Sequence, residues 1–247
     1  MNLTFSGKTA LLVGGSCELG LALAPLLSNQ GICPVIACRR PESMERAKQA
    51  MAGCSGPHRT VFLDLAQPQS LDLVFSSLEN GLDYLVDFAQ EDYESLVASA
   101  DHDTVKDYMG TCVSARSLML KKAARIMMPQ KRGRLVLVSS TAAGRPNPGQ
   151  GFYAASKLAA EALYKNLALE LGSFGISAVT LRPGYVEAGR GKAYIEKNRE
   201  TLRKRVPSGM FLQPGEVAVT LLFLLSDQAR GFNATELVMD GGLCAGK

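Results

Sequence analysis

The stretch Lys8-Thr9-Ala10-Leu11-Leu12-Val13-Gly14-Gly15-Ser16-Cys17-Glu18-Leu19-Gly20 decides how the chain is read. Lys8 to Val13 is a short apolar run, Gly14 to Gly20 is glycine-rich, and Leu21, Leu23, Leu26 and Leu27 continue with helical spacing. Strand, glycine turn and helix in that order make a cradle for a phosphate. Glycines let a ligand approach the backbone, and the helix N-terminus favours an anion. A βα turn without a ligand has the same pattern, and the rest of the chain decides between the two.

Pro34 to Cys38 reads as a second strand, running into Arg39-Arg40-Pro41, and Val61 to Leu65 as a third with Asp64 at its carboxyl end. Leu82 to Ala89 follows as the fourth, then a helix from Asp101 to Met128 and a fifth strand, Gly133 to Val138. A helix from Phe152 to Phe174 precedes the sixth strand, Ile176 to Leu181, which leaves through Arg182-Pro183-Gly184-Tyr185-Val186. A basic helical segment, a helix from Pro214 to Leu225 and a last strand, Glu236 to Met239, close the pattern before Asp240-Gly241-Gly242. Strands alternating with helices imply an α/β fold: a Rossmann-type, doubly wound parallel sheet of about seven strands with helices on both faces. With no linker-like stretch, residues 1–247 are expected to form a single domain.

In such a fold the second strand ends beside the adenosine ribose, where an acid favours NAD. Here Arg39 and Arg40 suit a 2′-phosphate, so NADP(H) is the expected cofactor. Asp64 is placed to meet an adenine amino group or to cap the helix starting near Pro68.

Composition narrows the class. The chain has 247 residues, is 47% hydrophobic and carries a net charge of +4, enough apolar residues for a full core and too little charge to argue for nucleic acid. No apolar run reaches the roughly 18 residues of a membrane span, and Met1 to Lys8 does not resemble a signal peptide, so a soluble, cytoplasmic protein is expected. Six cysteines without a Cys-x-x-Cys pair, with His58 and His102 the only histidines, give no metal cluster.

The chemistry concentrates between Val138 and Lys157. Tyr153 and Lys157 are four apart on one helix face, so an ammonium can stand one turn from a phenol. A free phenol has a pKa of about 10, and a neighbouring cation lowers it into the range of acid catalysis. Ser140, thirteen residues earlier at a strand end, can be folded back by the Gly/Pro-rich loop as a second donor to a substrate oxygen.

Together these motifs resemble the short-chain dehydrogenase/reductase family along the whole chain, and within it the 3-oxoacyl-(acyl-carrier-protein) reductases of fatty acid biosynthesis. The resemblance rests on Asn147 to Lys157 with Ser140, on Pro183-Gly184-Tyr185-Val186-Glu187, on Gln213-Pro214-Gly215-Glu216-Val217-Ala218 and on Val238-Met239-Asp240-Gly241-Gly242. It implies an oxidoreductase in which the pro-S hydride of NADPH attacks a ketone while Tyr153 protonates the alkoxide. Lys157 would hold the nicotinamide ribose and depress the Tyr pKa, and Ser140 would polarise the carbonyl. Gly14, Ser16, Leu19 and Gly20 would line the pyrophosphate, Arg39 the 2′-phosphate, Asp64 and Leu65 the adenine. Ala89 survives from the motif after the fourth strand, and Pro183, Gly184 and Val186 would meet the nicotinamide.

Three departures stand out. The family's Gly-x-x-x-Gly-x-Gly has Glu18 in place of its second glycine, which we expect to turn to solvent as a first-turn acid. Asn-Asn-Ala-Gly is replaced by Asp87-Phe88-Ala89-Gln90, and the helix Asn that orders a water beside the catalytic Lys aligns to Cys112. The family's carboxamide-contacting Thr becomes Ala188. A second reading follows: a weakly or non-catalytic subunit that pairs with an active reductase of the same fold.

The segment Gly189 to Val206 carries Arg190, Lys192, Lys197, Arg199, Arg203, Lys204 and Arg205 against Glu196 and Glu200. A cationic rim there, with Lys131 and Arg132, suits a phosphopantetheine arm or an acyl carrier protein, whereas the family's other carrier-binding Arg aligns to Phe174. The substrate is expected to be an acyl thioester or other small ketone. The resemblance also implies a homotetramer or homodimer, whereas the departures at Glu18, Cys112 and Asp87 to Gln90 motivate a hetero-oligomer with a related reductase.

Overall fold

The computed structural model describes residues 2–246. Seven parallel strands form one sheet in the order β3-β2-β1-β4-β5-β6-β7. They are β1 (Thr9–Val13), β2 (Cys33–Cys38), β3 (Arg59–Phe62), β4 (Tyr84–Asp87), β5 (Gly133–Val138), β6 (Ile176–Pro183) and β7 (Thr235–Met239).

Leu11 and Val13 face one side of the sheet, Ala10 and Leu12 the other, and all four are buried. A strand covered on both faces cannot alternate polar with apolar, which is why the run before Gly14 is continuously apolar. On one face pack α1 (Glu18–Asn29), α2 (Pro41–Met51) and α8 (Pro214–Leu225). On the other pack α3 (Pro68–Ser76), α5 (Arg116–Gln130) and α6 (Gly151–Leu171). Chain order reverses between β1 and β4, and in an open parallel sheet that reversal opens a crevice at the carboxyl ends.

The helix expected from Asp101 to Met128 is not continuous. It is α4 (His102–Met109), a π-helical turn over Gly110–Ala115, and then α5. Arg116 donates to the Cys112 carbonyl and so takes that acceptor into a side-chain bond, while Gly110 lowers the helical preference where the turn begins. The strands β3 and β4 are shorter than expected at their carboxyl ends, where the chain turns out into the crevice. The basic segment is α7 (Gly189–Arg205), and β6 runs on through Pro183.

Candidate active site

The crevice is a cleft of about 910 Å³. Gly14, Ser16, Leu19, Arg39, Asp64, Leu65, Ala89, Ser140, Tyr153, Lys157, Pro183, Gly184 and Val186 all line it. Gly20 does not. It is buried in α1, where a β-carbon would stand 2.3 Å from the Gly15 carbonyl oxygen, so its smallness serves the packing of helix on turn rather than contact with a ligand. Gly14 has φ +67, and a β-carbon there would lie 3.0 Å from Ala89 backbone atoms, so glycine lets the β1 and β4 ends close on each other. At the far wall, Gly184 donates to the Met239 carbonyl at 2.8 Å and leaves no room for a β-carbon beside Asp240, which accounts for the paired Pro-Gly and Asp-Gly-Gly motifs.

Ser140 leaves β5, and its hydroxyl accepts from the Ala142 N–H at 3.1 Å, fixing it at the mouth of a 3-10 turn. Lys157 is 3% exposed, donates to the Val138 carbonyl at 3.0 Å, and lies over the Tyr153 ring with Nζ 5.8 Å from its centre. One turn of α6 and the end of β5 therefore bring hydroxyl, phenol and amine to one wall.

The electrostatics differ from the expectation for Tyr153. Its pKa is raised, because burial outweighs the hydroxyl of Ser140 and the charge of Arg190, which favour the phenolate. Lys157 pairs with a carbonyl rather than with the phenol oxygen. Its own pKa falls to about 8, first through burial and then through the charge of Arg116.

The cofactor-side residues are held by other partners. Arg39 pairs with Glu91. Asp64 accepts from the Ala66 N–H and from the Gln67 amide, each at 3.0 Å, so it orders its own turn while lining the cleft, and Gln67 takes the N-cap of α3. Glu18 is exposed, yet its carboxylate is not free in solvent: it accepts from the Gly189 N–H at the start of α7. Arg190 pairs with Asp92 at 2.6 Å, a second tie between α7 and the opposite wall. Of the basic residues before β5, Lys131 ends α5 with a left-handed backbone and Arg132 pairs with Asp83 at 2.8 Å. Phe174 is partly exposed.

Two features lay outside the sequence reading. The Gln90 amide donates to the Tyr108 hydroxyl at 2.6 Å and reaches the Cys112 sulfur at 3.5 Å, so a carboxamide stands beside position 112. Arg116 is sealed from solvent and paired with Asp87 at 2.7 Å. Its signal was present: Arg116 falls on the stripe of Met119, Leu120, Ala123 and Met127, the only charge on that buried face of α5.

Residues 16–244 match a family model described as Enoyl-(Acyl carrier protein) reductase. Over 246 residues the chain is 30% identical to the 3-oxoacyl-(acyl-carrier-protein) reductase of Vibrio cholerae, covering 98% of this chain and 99% of the relative. The Escherichia coli protein of the same name is 28% identical over 244 residues, with 98% and 99% covered. A solved short-chain dehydrogenase/reductase family protein superposes with a TM-score of 0.87 at 28% identity, covering 99% of this chain and 100% of its own. A variant of actinorhodin polyketide ketoreductase solved with NADPH shares the fold, with a TM-score of 0.89 at 23% identity over 98% of this chain and 99% of that one. Because the likeness extends through sequence and fold over nearly the whole chain, the protein belongs to the short-chain dehydrogenase/reductase family of oxidoreductases.

Proposed function

We propose that the chain reduces a ketone to a secondary alcohol with NADPH, and that the ketone is a 3-oxoacyl thioester carried on acyl carrier protein or CoA. One observation carries this reading: the hydroxyl of Ser140, the phenol of Tyr153 and the buried amine of Lys157 converge on the same cleft that begins at the Gly14 turn and Arg39.

The residues present fit a nicotinamide dinucleotide. The N-terminus of α1 offers backbone N–H groups to a pyrophosphate, Arg39 a guanidinium to a 2′-phosphate, and the Pro183-Gly184 turn a shallow wall for a flat ring. When bound, the cofactor supplies the hydride. Ser140 and Tyr153 hold the carbonyl oxygen between two hydroxyl donors, so that charge developing on it meets fixed dipoles instead of mobile water. Tyr153 gives its proton to the alkoxide oxygen, and the raised phenol pKa keeps that proton in place until the charge appears. Lys157 steadies the phenolate that results.

An acyl carrier protein as partner is supported by the cationic residues of α7 and by the names of the relatives, and a homotetramer or homodimer by the family. The alternative, a weakly catalytic subunit of a hetero-oligomer, draws on the carboxylates of Glu18 and Glu91, which stand where phosphates would be received. Oxidation of NADPH on addition of acetoacetyl thioester, lost in Tyr153→Phe, is the expected result. No oxidation, with Tyr153→Phe indistinguishable from the parent, sinks the reductase reading. A fluorescence titration with NADPH then decides whether the chain still binds the cofactor.

A further inference from the structure

Glu161 and Arg182 form a largely buried ion pair that the chemistry above leaves unused: Glu161 is 4% exposed, and neither side chain lines the cleft. Arg182 grips the carboxylate with two nitrogens, Nε donating to Oε1 at 2.8 Å and a terminal nitrogen to Oε2. Oε1 also accepts from the Ser139 hydroxyl. Apolar residues of the same volume serve a core as well as such a pair or better, so stability alone does not account for it.

The position of the pair does account for it. Lys157 and Glu161 are one turn apart on α6 and hold two successive residues at the end of β5: Lys157 the Val138 carbonyl at 3.0 Å, Glu161 the Ser139 hydroxyl. Leu135 and Leu137 face the α6 side of the sheet, and Ser139 keeps that alternation, so its hydroxyl meets the helix. The next residue is Ser140. Its carbonyl accepts from the Ala143 N–H at 3.0 Å and its hydroxyl from the Ala142 N–H at 3.1 Å, so whatever fixes Ser139 fixes the start of this turn. Arg182 backs the turn at its other end: a β-carbon at Gly144 would stand 3.6 Å from a guanidinium nitrogen. Arg182 itself lies in β6 directly before Pro183 and Gly184, and its guanidinium reaches on to Glu236 of β7 at 3.4 Å. The backbone runs the same way, with the Ser139 N–H donating to the Leu181 carbonyl at 2.8 Å. One carboxylate on the helix of Tyr153 thus ties the Ser140 turn to the strand that delivers the Pro183-Gly184 wall.

We propose that Glu161 and Arg182 are positioning residues that set the Ser140 hydroxyl against Tyr153 on one side and against the Pro183-Gly184 wall on the other. The clamp stands on geometry; its consequence for hydride transfer rests on the ketoreductase reading. A carbonyl oxygen held between Ser140 and Tyr153, and a flat ring laid on Pro183 and Gly184, are then kept at one separation by groups that touch neither. A displacement of about 1 Å between such reacting groups costs up to about a hundredfold in rate.

The test compares variants of the full-length protein. Glu161→Met/Arg182→Met exchanges the pair for apolar side chains, Ser139→Ala cuts only its tie to β5, and Glu161→Gln keeps an amide oxygen for Ser139 and Arg182. With NADPH and acetoacetyl thioester, kcat falls about thirtyfold in the double variant and about fivefold in Ser139→Ala, KM and NADPH affinity change by less than about twofold, and Glu161→Gln stays within about threefold of the parent. Amide hydrogen exchange reads the clamp without turnover. Ala142 and Ala143 exchange about tenfold faster in the double variant and in Ser139→Ala, while Leu135 and Leu137 stay protected. Unchanged exchange at Ala142 and Ala143 in the folded variants overturns the proposal, as does faster exchange spread evenly through β5 and α6, or a double variant that turns over at the parent's rate. Should the double variant not fold, Ser139→Ala decides it. A parent without turnover removes the ketoreductase reading, and exchange at Ala142 and Ala143 then decides the clamp by itself.

Discussion

At the β5–α6 end of the cleft, Lys157 and Tyr153 belong to one helix and Ser140 to the turn that follows β5, and the amine is buried against the Val138 carbonyl. At the β1–β2 end the ties join distant segments and lie partly in solvent: Arg39 with Glu91, Glu18 with the Gly189 N–H, Arg190 with Asp92. The difference is one of replaceability. Helix spacing and burial fix the first group whether or not a ligand is present. Exposed ion pairs of the second kind are worth about 0–1 kcal/mol, so a phosphate bearing more charge can exchange for the carboxylate. On the proposed function, the reaction end is preorganised, and the end proposed for the cofactor holds its cations against its own anions.

The sharpest break of this contrast is Tyr153→Phe, which removes the proposed proton donor and keeps the ring that packs in the cleft wall. Turnover should drop by about a thousandfold with NADPH affinity nearly unchanged, read from kcat and a binding titration. A similar loss in binding would mean the two ends are not separable.

Lys157 predicts a stability effect. Its folded pKa of about 8 lies below the 10.5 it has when solvated, so between those values the unfolded chain holds a proton that the folded chain has lost. The Lys157 contribution to the unfolding free energy should therefore rise with pH through that window, by on the order of 3 kcal/mol at its upper end, while the buried thiols and phenols, whose pKa values are raised, act in the opposite sense from about pH 9 upward. Denaturant unfolding at pH 7.5 and 10 should show this rise as a difference, the parent gaining stability relative to Lys157→Met at the higher pH.

At the other end, Arg39→Ala should weaken NADPH about tenfold and leave NADH nearly unchanged, because only the 2′-phosphate needs the guanidinium. The smallest effect is that of Glu91→Gln, which frees Arg39 from its partner. NADPH should bind about threefold more tightly, with a smaller salt dependence of the NADPH-to-NADH ratio. Weaker binding in Glu91→Gln would show that Glu91 serves the ligand rather than competing with it.

The sequence by itself determined the sheet and most of the reaction wall. A buried parallel strand must be continuously apolar, a glycine turn must follow it, and two residues four apart on a helix must share a face, so β1, Gly14 and the Tyr153/Lys157 pair are consequences of local spacing. Gly20 was legible as a required glycine but not as a packing one, because only the turn folded against α1 shows that the Gly15 carbonyl fills the space. The lowered Tyr153 pKa expected from helix spacing was not met, because spacing brings Lys157 near the ring while burial, a property of the whole fold, acts on both groups and dominates. Glu18 meeting Gly189, Arg39 meeting Glu91 and Arg116 meeting Asp87 join residues 171, 52 and 29 positions apart. Such pairings have no local signature, and they were decided only when the β1–β4 reversal brought those segments to one cleft.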